Sequence, residues 1–251
     1  MTPLLIGLAL ATAVPGQSIP KPDPIKVLTA QTAPGKGVTV SSVTKVSVNG
    51  RHAVTMRTDG LTAFRKGGQD VDDVIRYSTP IATETVQADY LFPTLFTRVK
   101  GVTYTSGGVV VGWLPLDKKW ARNLDKSVHP GSIMVNLFRP GTLRALLNSA
   151  SSVDSRGARG TIAAGKLPGS PLPVKLSWEL WFDAKGRVTR FTTATPRTGE
   201  PFRISSDLRF SGWRANAVVT PPSKELVIDA DDLPELALPE DEVMKLVEAG
   251  D

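Results

Sequence analysis

A reactive centre needs groups of the right type held close together, and this chain is poor in them. It has no cysteine and only two histidines, His52 and His129. Thiol nucleophiles, disulfides and cysteine metal sites are therefore excluded. A Ser-His-Asp arrangement would have to use one of those two imidazoles, and a histidine-rich zinc site lacks ligands. There is no Gly-rich phosphate loop followed by Lys-Ser or Lys-Thr, no dinucleotide fingerprint and no His-Glu zinc helix. The segments GLTAF and GSPLP lack the Gly-x-Ser-x-Gly pattern of a nucleophile elbow. Asp70, Asp72 and Asp73 cluster without the further ligand spacing of a calcium loop, so a solvated acidic turn is the plainer reading. Lys118, Lys119, Arg122 and Lys126 form a basic run that can meet phosphates of lipid or nucleic acid. No nucleic-acid module signature accompanies it. The expectation is a protein that is not an enzyme, with no catalytic residues, no metal, no cofactor and no nucleic-acid partner.

What the chain has in quantity is patterned apolar side chains. In residues 172–193, LPVKLSWELWFDAKGRVTRFTT, Val174, Leu176, Trp178, Leu180 and Phe182 alternate with Lys175, Ser177, Glu179 and Trp181. That period of two belongs to a strand buried on one face. Asp183 and Gly186 suit a tight turn, and residues 187–193 return as a second strand. The alternation predicts Trp178 and Leu180 facing inward and Trp181 facing out. A hairpin with one greasy face is not stable alone, so it needs further strands and a cover.

The rest of the chain supplies both. Residues 25–31 read as a short helix capped by Asp23, with Pro24 in its first turn. Residues 38–48 read as a half-exposed strand, and Asn49-Gly50 is a strong hairpin signal. Residues 53–57 and 61–65 read as two more strands separated by a turn at Asp59-Gly60. Residues 70–77 carry no clear pattern. The aromatic run 90–96, YLFPTLF, contains Pro93, which argues against a central strand. Two strands are expected around Gly107-Gly108. In NLFRPGTLRALLNSA (136–150), Leu143, Leu146, Leu147 and Ala150 fall on one helical face, with Thr142 or Asn136 as cap. Residues 159–163, 202–210 and 216–220 complete the strands, the last two flanking Gly212-Trp213. Residues 239–247 suit a short terminal helix. Nearly all connections are hairpin-length, so the fold expected is α+β, mostly antiparallel β: one highly curved sheet covered by a few short helices.

The chain of 251 residues, 41% hydrophobic and 22% charged, is long enough for one large β-rich domain. Its net charge of +6 is uneven. From 225 to 251 there are ten acidic residues and one basic, −9, leaving 29 basic and 14 acidic, +15, for 1–224. This describes a basic body with an acidic tail that is either solvated or folded back against an anion-binding surface. The apolar run 4–10 followed by Ala11-Thr12-Ala13 has the form of an export signal, and the alternative is an apolar arm. It is too short to span a bilayer.

Several stretches in succession resemble the LolA/LppX-type carriers, in particular LppX/LprAFG-like envelope lipoproteins. They are GVTYTS with KKWARN (118–123), NLFRPGTLRALLNSA, the hairpin LPVKLSWELWFDAKGRVTRF, and LRFSGWRANAVVTPPSKELV (208–227). The resemblance spans 38–227. It implies a LolA-like incomplete barrel with helices over its open side, and carriage of lipid in an apolar cavity. The lipobox cysteine of those lipoproteins is absent, so acylation is excluded for this chain.

These readings divide the chain into a signal-like segment and linker (1–22), a half-barrel domain (23–227) and an acidic tail (228–251). They lead to an exported, monomeric, non-enzymatic protein of the cell envelope or exterior, whose partner is a lipid or amphipathic small molecule. Its candidate cavity residues are Phe92, Leu95, Val110, Trp113, Phe138, Leu143, Leu146, Leu147, Trp178 and Leu180. Basic residues offer a contact to a membrane surface. The alternative is an envelope protein-interaction or sensor domain without cargo.

Overall fold

Alternation of apolar and polar residues dominates this chain, and the structure realises it as one twelve-stranded sheet. The structure is a computed structural model. It describes residues 23–66, 70–78, 94–107, 114–123, 135, 137–154, 156–163, 165–167, 175–195 and 202–233. The strands are β1 (Lys36–Val48), β2 (Arg51–Lys66), β3 (Asp70–Ser78), β4 (Thr94–Val99), β5 (Val102–Gly107), β6 (Trp120–Arg122), β7 (Ala150–Val153), β8 (Gly157–Ile162), β9 (Leu176–Phe182), β10 (Val188–Ala194), β11 (Phe202–Ala215) and β12 (Val227–Asp229). Two helices accompany them, α1 (Pro24–Gln31) and α2 (Pro140–Asn148).

Across the sheet the order is β12-β6-β5-β4-β3-β2-β1-β11-β10-β9-β8-β7. The chain enters at the middle and walks to one side through β2 to β6. It then crosses to the far edge at β7 and walks back until β11 pairs with β1. All pairings among the described residues are antiparallel except that of β6 with β12. The sheet is not closed, and β7 and β12 stand at its edges. This is the curved half-barrel α+β arrangement that the strand pattern predicts.

Local chemistry accounts for the turns. Asn49 and Gly50 have φ of 49° and 79°, and Lys100 and Gly101 have 50° and 81°. Two successive positive φ values make the turn whose twist matches that of the flanking strands. In the β9–β10 turn, Asp183 Oδ1 accepts from the backbone N–H of Lys185 and of Arg187, each at 2.9 Å. Its Oδ2 accepts from Arg187 Nε at 2.7 Å. Burial by itself would raise the Asp183 pKa, but these hydrogen bonds outweigh it and hold the carboxyl below its ordinary value. At α1, Asp23 Oδ1 accepts from the Ile25 N–H at 2.9 Å, as its N-cap position predicts.

Five readings are corrected. Asp59-Gly60 is not a turn: β2 runs straight through it, with Gly60 opposite Val40 on one side and Ile75 on the other. Ladders on both sides outweigh the local turn preference. The unassigned segment 70–77 is β3, the strand that makes the second of those ladders. Gly212-Trp213 is also not a turn. Between the pairs Thr39–Ser211 and Gly37–Arg214, β11 holds one residue more than β1, and Gly212 has φ of 57°. This is a bulge, which lets Trp213 pack with Phe64 at 6.4 Å between ring centres and donate Nε1–H to the Val188 carbonyl at 3.1 Å. The expected strand at 216–220 is irregular chain, with Ala217 N–H donating to the Gly35 carbonyl at 2.9 Å. Finally, Thr142 does not cap α2. Arg139 takes the N-cap position without a side-chain bond, and Pro140 begins the helix.

One face of the sheet carries the main core. Leu28 of α1 and Leu143 and Leu146 of α2 pack with Val38, Phe64, Phe191 and Leu208. Phe138 bridges Phe64 and Phe210 edge-on, at 5.0 and 5.7 Å. Helix α2 reaches the sheet over β7 and β8 and also touches α1. It can sit this low because Gly160 has no side chain. A Cβ there would lie 2.5 Å from the Ser149 carbonyl oxygen, 2.9 Å from the Ala150 Cα and 2.9 Å from the Trp178 ring.

Two outcomes follow from these contacts. Gly160→Ala should lower stability by about 1–3 kcal/mol through overpacking, measured by urea unfolding. Asp183→Asn should lower it by roughly 1 kcal/mol near pH 7, a figure discounted for partial exposure. Because the folded-state pKa of Asp183 lies below its unfolded value, this stabilisation is present above the unfolded pKa and fades as pH falls through the folded one. The gap between wild type and variant should therefore close on acidification below the ordinary carboxylate range.

Candidate ligand-binding faces of the sheet

The register sorts side chains into rows that cross the sheet. On the core face, one row runs Ser42, Leu208, Phe191, Leu180 and Ala158. The next runs Met56, Thr44, Ser206, Thr193, Trp178 and Gly160. Beyond it lie Val46 and Ile204, opposite one another, and Val48, all half-buried.

The structure brings most of the described cavity candidates together. Leu143, Leu146, Trp178 and Leu180 share the main core at 0%, 0%, 3% and 1% exposure, and Phe138 and Leu147 pack against it. Trp178 and Leu180 point inward and Trp181 lies on the opposite face, as their alternation predicts. Leu95 does not join them. It sits half-buried on β4, opposite Arg76 and Ser106 and outside both core clusters. Phe92, Val110, Trp113, His129, Lys126, residues 1–22 and the expected terminal helix lie outside the described residues.

The row through Trp178 is unusual for a core because it is polar. Ser206 Oγ and Thr44 Oγ1 bond at 2.9 Å, and in the neighbouring row Ser42 Oγ meets Thr58 Oγ1 at 2.6 Å. Thr193 and Trp178 are opposite one another on β10 and β9. Among the described residues, the Thr193 hydroxyl and the Trp178 Nε1–H are both buried with no hydrogen-bond partner, as is the Thr142 hydroxyl of α2. A buried polar group without a partner costs about 1–3 kcal/mol, so such groups call for a ligand or water. Sequence periodicity finds Trp178. It misses Thr193, whose importance comes from what does not reach it.

The opposite face is polar and carries a groove of about 720 Å³. A row of Arg57, Val43, Asp207, Thr192, Glu179 and Arg159 crosses it. Arg190 Nε and Nη2 each donate to the Asp207 carboxylate at 2.8 Å, and the same guanidinium lies 4.7 Å from the Trp181 ring centre.

At the sheet edge, the acidic tail begins by folding back on the basic run. Lys119 N–H donates to the Leu226 carbonyl at 2.9 Å and Lys118 Nζ to the Glu225 carbonyl at 2.8 Å. Arg122 forks onto Asp229, with Nε to Oδ1 at 2.8 Å. Hydrogen bonding from Arg122 holds the Asp229 carboxyl below its ordinary value. His52 is exposed and bonds only locally, to Thr55 at 3.2 Å. Among the described residues no cluster of His, Asp or Glu could hold a metal ion, and no helix is long and apolar enough to cross a membrane. Asp70, Asp72 and Asp73 belong to β3 rather than to a loop.

Comparison with known proteins yields likeness to solved structures alone. No protein-family model and no curated protein matches the chain. Among solved structures, a DUF1329 family protein from Desulfovibrio piger aligns at 14% identity, over 79% of this chain and 95% of that one, with a TM-score of 0.32. These matches do not establish the LolA/LppX-type affiliation.

In lipid-extracted protein, Thr193→Val should raise stability by about 1 kcal/mol by replacing an unpartnered hydroxyl with a methyl of the same shape. A loss of stability in urea unfolding would show that the hydroxyl is satisfied within the protein.

Proposed function

We propose that this chain is a non-enzymatic, exported, monomeric protein that holds a lipid or other amphipathic molecule on the core face of its half-barrel. The observation that carries this is the Trp178–Thr193 pair, two buried polar groups without partners, set in an apolar face. A ligand's polar group would accept from Trp178 Nε1–H and exchange a hydrogen bond with the Thr193 hydroxyl. Its chain would lie along Val46, Val48, Ile204 and Met56, which extend the same face and are half-buried. Each buried CH₂ contributes roughly 0.8 kcal/mol, so a single acyl chain supplies most of the affinity. None of the 251 residues is a cysteine, so none of them can carry a thioether-linked lipid. Carriage within a cell envelope is the role consistent with the resemblance to LolA/LppX-type proteins.

A second reading, an interaction or sensor domain without cargo, is supported by the complete burial of Leu143 and Leu146 against the sheet. The two readings differ in one measurement. Native mass spectrometry of the full chain, purified without detergent or reloaded with oleate or phosphatidylglycerol vesicles, should show a lipid-sized adduct. Trp178→Phe combined with Thr193→Val should weaken loading about tenfold, the loss expected for two neutral hydrogen bonds. An apo mass under both conditions would remove the carrier reading and leave the interaction domain.

A further inference from the structure

The sheet face opposite the core holds a second site, and its lining argues for a different ligand. The groove there crosses β2, β1, β11, β10, β9 and β8. From β1 to β8 is four strand spacings, about 19 Å. At one end stand Lys45 and Arg57. They are diagonal neighbours on one face, since Lys45 is opposite Thr55 and Arg57 is opposite Val43, a placement that separates them by about 7–8 Å. At the other end stand Glu179 and Arg159, directly opposite one another.

The charges in the groove are not all available. Asp207 is occupied by the two-pronged bond from Arg190 and by Arg209 at 3.7 Å. Lys45, Arg57 and Arg159 form no ion pair among the described residues. The free charge is thus three cations against the single carboxylate of Glu179, concentrated at the Lys45–Arg57 end. Between the ends the lining is hydroxylic: Ser205, Thr192, Ser177 and Thr161.

A smaller hollow of about 240 Å³ continues the groove past Arg159 and Glu179 to Trp181; Arg156 and Asp154 also line it, the Asp154 carboxylate being engaged locally by the Arg156 and Gly157 N–H groups at 2.6 and 2.9 Å. Trp181 is half-buried on this same outer face. Arg190 covers one side of its ring and so holds the indole in a fixed orientation. A cationic anchor, a run of hydroxyls, one carboxylate that can accept from paired hydroxyls and an aromatic platform, spread over several sugar lengths, form a recognisable chemical set. We propose that this groove binds an anionic oligosaccharide, its acidic group on Lys45 and Arg57 and a sugar ring on Trp181. The hydroxyl lining and the Trp181 surface favour sugar rings over an acidic peptide, and the length disfavours a single small anion. The charged and hydroxylic side chains argued from here alternate with Trp178 and Thr193 along the strands and face the other way, and the proposal does not depend on the core-face ligand.

The test is calorimetric titration of the full chain with tetragalacturonate, a sulfated tetrasaccharide, neutral cellotetraose, inorganic phosphate and a tetraglutamate peptide. At least one of the two anionic tetrasaccharides should bind about tenfold or more tighter than the last three, as charge-assisted hydrogen bonds require. Lys45→Ala with Arg57→Ala should remove about tenfold or more of that affinity. Lys185→Ala with Lys224→Ala deletes the same charge at exposed positions outside the groove, and should leave it nearly unchanged. Arg159→Ala supplies an independent check at the far end should the first pair perturb folding. Binding of neither anionic tetrasaccharide, equal binding of cellotetraose, tetraglutamate or phosphate, or equal losses in the two double variants would overturn the proposal.

Discussion

The structure depends on the register of β1. That strand pairs along almost its whole length with β2 on one side and with β11 on the other, so its alternation decides which way both neighbours face. Val38, Ser42 and Thr44 turn to the core side, and Val43 and Lys45 turn to the other. From β1 the assignment passes through β11 and β10 to Trp178 and Glu179 on β9, one residue apart and on opposite faces. A one-residue slip would exchange the two faces, placing Lys45 and Arg209 in the core and Leu208 and Phe191 in water. The Asn49-Gly50 turn sets this register at one end of β1, and the Gly212 bulge on β11 absorbs the twist at the other.

The two faces do different physical work with the same backbone. The core face gains its stability from area removed from water, since each fully buried Leu or Phe contributes roughly 1.5–3 kcal/mol. Within it, the row through Thr44, Ser206, Thr193 and Trp178 interrupts the apolar surface. Thr44 and Ser206 satisfy one another, while Thr193 and Trp178 do not. The outer face holds its charges on a rigid lattice of strands, where Asp207 is neutralised and, among the described residues, Lys45, Arg57 and Arg159 have no ion-pair partner. Such preorganisation lowers the ordering cost of binding a polar ligand.

Much of the fold was legible in the sequence because it rests on local rules. Asn49-Gly50, the Asp23 cap, the Asp183 turn and the Trp178–Leu180 alternation each follow from residue type and spacing. Two of the failures share one cause. Asp59-Gly60 and Gly212-Trp213 carry turn chemistry but lie inside long strands, where ladders on both sides keep Asp59-Gly60 in register and the left-handed Gly212 becomes a bulge instead of a turn. Lys100-Gly101 makes the same turn as Asn49-Gly50 without its signature, because the neighbouring β4–β5 ladder imposes it. The candidate sites were less legible. Leu143, Leu146, Trp178 and Leu180 were found by period alone. The unpartnered state of Thr193 was not, because it is a property of the packed core. Nor was the outer groove, whose cations come from β1, β2 and β8 and meet only in the folded sheet.

The central claim is that Trp178 Nε1–H and the Thr193 hydroxyl receive the polar group of a bound amphipathic molecule. The most direct test is the indole N–H resonance of Trp178 in the ¹⁵N-labelled full chain, assigned by its loss in Trp178→Phe. Spectra would be compared between lipid-extracted protein and protein reloaded with phosphatidylglycerol. The account predicts that this resonance moves downfield on loading, as the N–H gains an acceptor. A resonance that stays in place while lipid is demonstrably bound would contradict it.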